Sequence, residues 1–140
     1  MLRRYITSGV MIPILLCLQI VPLVVFPASS YSLTTQEWWL PFFLSILTII
    51  GLVQVLLRKS VMAWPWYLLS FSQGFNIISR LMMILPHATI SGSDGAISAN
   101  TPYLLITLAS LIVSTFELWY TELPEIRQKL ASRVMPKAAA

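Results

Sequence analysis

Apolar residues fall in four blocks, residues 5–26, 38–57, 62–86 and 102–121, separated by short polar stretches. Each block is close to the roughly 20 residues that an α-helix needs to cross a hydrocarbon layer of about 30 Å. Prolines punctuate them. Pro13 and Pro22 lie inside the first block and each removes a backbone donor, which predicts a bent helix there. Pro41 and Pro65 fall in first turns, where a missing donor is harmless, and Asn100-Thr101-Pro102 reads as a helix start. The pattern predicts an all-α fold, an integral membrane four-helix bundle, over residues 1–122. The first block is longer than the apolar core of a secretory signal, about 7 to 15 residues, and is read as an uncleaved span.

Beyond residue 122 the pattern changes. Ile126, Leu130 and Val134 recur every four residues, with Arg127, Lys129 and Arg133 on other faces. Pro124 and Glu125 suit a first helical turn. Residues 123–140 therefore read as a cytoplasmic tail containing a short amphipathic helix that lies on the membrane surface or docks a partner. Between the third and fourth blocks, residues 88–100 are rich in Ser, Gly, Asp and Asn and read as an exposed loop.

Polar residues inside the blocks are placed in order. Gln73, Asn76 and Arg80 recur at steps of three and four in the third block, and Thr107, Ser110, Ser114 and Glu117 do so in the fourth. Each set shares one helical face. Facing lipid would leave these groups without partners, so the two stripes are expected to face each other. The pairs Ser70/Gly74 and Ser110/Ser114 supply small residues for close approach. Levels counted from Pro86 and Pro102 put Arg80 beside Thr107, Asn76 beside Ser110, and Gln73 between Ser114 and Glu117. On that count Arg80 and Glu117 are roughly 13 Å apart at about 1.5 Å per residue, too far to pair. An arginine at a helix centre costs about 2.5–3.5 kcal/mol on insertion scales. Arg80 is therefore expected to reach backbone carbonyls or headgroups, and Glu117 to reach the interface beside Trp119 and Tyr120 or to stay protonated.

Composition excludes a soluble domain: of 140 residues 57% are hydrophobic and 10% charged. The net charge of +4 comes from residues at block ends rather than from a patch with aromatics, which suits anionic lipid and not nucleic acid. Arg3, Arg4, Arg58, Lys59, Arg127, Lys129, Arg133 and Lys137 fall on one side of a four-span arrangement, and the opposite links carry no Lys or Arg. That side, with both termini, is expected to be cytoplasmic. Trp and Tyr lie near block ends, as interfacial belts do: Tyr5, Trp64, Trp66, Tyr67, Trp119 and Tyr120 on one side, and Tyr31, Trp38, Trp39 and Tyr103 on the other.

No catalytic motif is present. There is no phosphate loop, His-Glu-x-x-His or nucleophile elbow, and the single His87 cannot supply an axial haem pair; it is expected to cap the third helix. Cys17 is expected to act as a small buried hydrophobe and the methionines Met82 and Met83 as packing groups. No cofactor is expected. The leading expectation is a non-catalytic accessory subunit of a larger integral membrane complex, with an energy-transducing electron-transfer assembly as first host. Other membrane subunits and lipids are its expected partners. The alternatives are a small oligomeric transporter or channel using the polar faces, and a lipid- or quinone-binding protein with its contact at Arg80.

Overall fold

The computed structural model describes residues 5–25, 39–60, 62–91, 95 and 97–132. Its helices are α1 (Met11–Leu18), α2 (Val21–Val24), α3 (Trp39–Leu52, continued by a wider π-type turn, Val53–Leu57), α4 (Trp64–His87), α5 (Thr101–Thr121) and α6 (Pro124–Ser132). Two short strands, β1 (Thr89–Ser91) and β2 (Ile97–Ala99), pair antiparallel, with Ile90 opposite Ser98. The chain is therefore mostly helical. Three helices, Trp39–Leu57, Trp64–His87 and Thr101–Thr121, are long and apolar enough to cross a membrane.

The first block, expected as a bent span over residues 5–26, has a shorter helical stretch than that within the described residues. Its helical stretch is Met11–Val24, shorter than the other three and broken between α1 and α2. The turns around the break tighten, because Gln19 and Ile20 donate to Leu16 and Cys17, three residues back. Pro22 has no N–H to restore the α-helical pattern, and Val25 ends α2 in an extended conformation. The described residues at the two ends of the expected 88–100 loop pair as strands. Their base is closed by the Asn100 amide donating to Ala88 (2.8 Å), and the strands form an exposed hairpin joining α4 to α5.

α4 packs along α5 on one face and along α3 on another. The α3 contact is close at Gly51, where an added Cβ would lie 2.8 Å from Leu69 Cδ2 and 3.1 Å from the Pro65 carbonyl. Gly74, expected to serve the α4–α5 approach, has nothing within 4 Å of such a Cβ. At the end of the molecule where α6 lies, Ile12, Leu16, Leu52, Trp66, Leu69, Tyr120 and Ile126 form one buried apolar cluster. Ile126 is fully buried among them, so α6 docks on the bundle itself rather than turning that residue outward to lipid. Polar contacts hold it there. Lys129 Nζ donates to the Thr7 carbonyl (2.5 Å), Arg127 Nε to the Thr121 carbonyl (3.1 Å), and the Arg127 guanidinium stands 5.5 Å over the Trp66 ring.

The aromatic residues divide. Tyr5, Trp39, Trp64, Tyr67 and Trp119 face outward, whereas Trp66, Tyr103 and Tyr120 are buried and belong to the interior. Cys17 is exposed on the outer face and not buried as expected. Arg3, Arg4, Tyr31, Trp38, Arg133, Val134 and Lys137 lie outside the described residues.

Candidate functional site: a buried polar seam

Helical spacing places Gln73, Asn76 and Arg80 on one face of α4, and Thr107, Ser110, Ser114 and Glu117 on one face of α5. All seven are buried, and Gln73, Thr107, Ser114 and Glu117 have no exposed surface. Asn76 Nδ2 donates to Ser114 Oγ at 2.8 Å. This lies one turn from the expected Asn76–Ser110 level. The cause is side-chain direction: on antiparallel helices each side chain leans toward its own N-terminus, so Asn76 meets a residue farther along α5 than a count of Cα levels gives.

The break between α1 and α2 supplies a third wall. Leu23 donates to Ile20 rather than to Gln19, which leaves the Gln19 carbonyl to accept from Gln73 Nε2 (2.9 Å). The Pro22 carbonyl accepts from Arg80 Nη2 (3.0 Å) and Ser110 Oγ (2.9 Å), and the Val25 carbonyl accepts from Arg80 Nη2 (2.6 Å). The Arg80 side chain thus reaches carbonyls, and with the residue 3% exposed it is enclosed rather than turned to a headgroup. A guanidinium is suited to this because its planar fork of donors serves more than one acceptor at once.

Glu117 is fully buried and not interfacial as expected. It shares its level with Gln73 and with Gln19, whose carboxamide faces its carboxyl. Below it, Ser70 Oγ donates to Glu122 Oε1 (2.7 Å) and stands 3.4 Å from Thr121 Oγ1, and Glu122 Oε2 pairs with Arg127 Nη2 (3.1 Å). At the other end Tyr103 Oη and His87 Nδ1 both contact the Met83 carbonyl (3.2 and 3.1 Å), and the two rings stack at 5.2 Å.

Buried polar residues not anticipated from sequence include Gln19, Thr48, Ser72 and Thr121, all without exposed surface. Gln19 carries a signal that could have found it, since it is the only amide side chain in the first apolar block. Among the described residues no three His, Cys, Asp or Glu side chains come together to hold a metal.

Fold and seam together define a class: a helical chain with three helices of membrane-crossing length and an enclosed polar interior. The chain matches no protein-family model, no curated protein and no solved structure.

Proposed function

We propose that this chain is a non-catalytic accessory subunit of a larger integral membrane assembly. It crosses the bilayer four times, with both termini cytoplasmic, and α1, α2 and the residues flanking them make the first crossing. The supporting observation is how polarity is distributed. The polar groups of α4 and α5 turn to each other and to the α1–α2 carbonyls, while the outward faces carry groups such as Phe42, Phe71, Ile78, Leu105 and Ile112. Such a surface suits lipid and apolar helix partners. An energy-transducing electron-transfer complex is the host class placed first, because such complexes recruit small helical subunits without chemistry of their own.

Mild solubilisation followed by identification of co-purifying proteins tests this reading. The expected result is a stoichiometric complex with larger integral membrane proteins. A stable, monodisperse protein without partners would overturn it.

The broken first helix favours one second reading, a small oligomeric transporter. Discontinuous helices whose carbonyls face a polar interior line ion and substrate sites in many transporters. Reconstituted protein would then move an ion or solute, and Arg80→Ala would abolish that flux. The quinone or lipid contact at Arg80 is not favoured, because its guanidinium is turned to the Pro22 and Val25 carbonyls.

A further inference from the structure

Glu117 and Gln19 present an accounting problem with a simple chemical solution. Both residues have no exposed surface. Neither oxygen of the Glu117 carboxyl and neither polar atom of the Gln19 carboxamide closes a hydrogen bond, although the two groups face each other. Among the described residues no cation pairs with Glu117. Arg80 lies two turns away and is bound to the Pro22 and Val25 carbonyls, Arg127 pairs with Glu122, and Lys129 is held by the Thr7 carbonyl. Among the described residues, neutral neighbours of the site include Gln73 from α4, whose Oε1 is itself buried without a partner, and Tyr120 from α5, whose hydroxyl donates to the Ile6 carbonyl (2.8 Å).

An ionised carboxylate enclosed without a cation, with a carboxamide N–H as the donor facing it, is an unfavourable arrangement in a protein interior. One proton changes every part of it. A neutral Glu117 donates its O–H to Gln19 Oε1 and accepts an N–H from Gln19 Nε2, so an acid–carboxamide pair satisfies all the orphaned atoms of both side chains.

We propose that Glu117 is a proton-binding site inside the bundle, paired with Gln19 and loaded from the α6 end of the molecule. Loading adds one proton to a Glu117 carboxylate oxygen and removes one from water at that end; release reverses the transfer. The route is marked by hydroxyls. Glu122 is exposed, Ser70 bonds to it and stands 3.4 Å from Thr121 Oγ1, and Thr121 lies one helical turn from Glu117 on the same face of α5. The site is a property of this chain's own interior and does not depend on any partner subunit.

Infrared difference spectroscopy of the full chain in lipid, with whatever subunits co-purify, tests the proposal. The expected result at neutral pH is a protonated-carboxyl C=O band that shifts in deuterium oxide and is absent from Glu117→Gln. That variant replaces the neutral acid by a neutral isostere and should fold normally. Gln19→Leu should move the same band to higher frequency, because the acid loses its hydrogen-bonded partner. The double variant Ser70→Ala/Thr121→Val should keep the band but slow its deuterium exchange severalfold. Absence of the band in the unaltered chain, or its persistence in Glu117→Gln, would overturn the proton site. A band indifferent to Gln19→Leu would overturn the pairing, and unchanged exchange in the double variant would overturn the route.

Discussion

Helix α4 has two working faces that are held by different physics. Toward α5 and the α1–α2 break it presents Gln73, Asn76 and Arg80, and each donates to a partner at a defined distance. Toward α3 it presents Leu69 and the Pro65 carbonyl against Gly51, a contact that depends on shape alone. The polar face specifies register, because an unpaired donor away from water is costly and a slip along the helix would break these three bonds together. The small-residue face specifies distance, because the backbones approach until Leu69 fills the space above Gly51. Loss of a polar partner and loss of space should therefore fail in different ways.

The largest effect is expected at Arg80. Arg80→Leu removes the donor shared by the Pro22 and Val25 carbonyls and leaves both without it in an apolar setting. Hydrogen bonds to charged groups are worth about 1.5–3 kcal/mol each, and part of this returns because a buried charge is also removed. A loss of roughly 2–4 kcal/mol is expected, read as a lower unfolding midpoint in detergent or lipid. Unfolding should begin at α1–α2, which would show as faster amide exchange over Val21–Val24 than over α3. Uniform exchange across the bundle would mean that the break is not anchored through Arg80.

Gly51→Ala probes the other face. The new methyl would meet Leu69, which can shift, and the Pro65 carbonyl, which cannot. Overpacking of this kind costs about 1–3 kcal/mol, against about 1 kcal/mol of helix propensity gained by replacing glycine. The net expectation is a loss of about 1 kcal/mol, with the α4–α5 hydrogen bonds intact. Retention of the Asn76 side-chain amide resonances in a spectrum of the variant would check the second part.

Much of the seam was legible because helical periodicity is a local property. Steps of three and four put Gln73, Asn76 and Arg80 on one face whatever surrounds them, and the same holds for Thr107 through Glu117. What escaped the sequence depends on how helices meet. The vertical alignment of Asn76 with Ser114 depends on side chains leaning along their helices and on a hairpin whose strands were not visible in a Ser/Gly-rich loop. The position of the break depends on which carbonyls of α1–α2 find donors, and that is decided by Arg80, Gln73 and Ser110 from elsewhere in the chain. A small residue likewise marks a close approach only where two helices cross. Gly51 and Gly74 look alike in sequence, and only one of them sits at such a point.

Asn76→Ala should cost less than either change above. Its bond to Ser114 is made between neutral groups, and the second contact of Nδ2, to the Pro22 carbonyl, is long at 3.5 Å. Hydrogen bonds between membrane helices average about 0.6 kcal/mol in double-mutant cycles, so a loss of about 1 kcal/mol is expected. A cycle combining Asn76→Ala with Ser114→Ala would check it, since the two losses should overlap if they report one bond.

The smallest effect has the opposite sign and tests the contrast most directly. Gly74→Ala places a methyl where no atom lies within 4 Å, on the same helix that cannot tolerate crowding opposite Gly51. With no clash to offset it, the helix-propensity term acts alone. It favours alanine by up to about 1 kcal/mol in water, and by less where a surrounding bilayer already holds the backbone in its helical form. A rise of about 0.5 kcal/mol in stability is expected, measured beside Gly51→Ala in the same lipid. If both substitutions destabilise equally, Gly74 touches something in the assembled state. Its open side would then mark where a neighbouring helix packs.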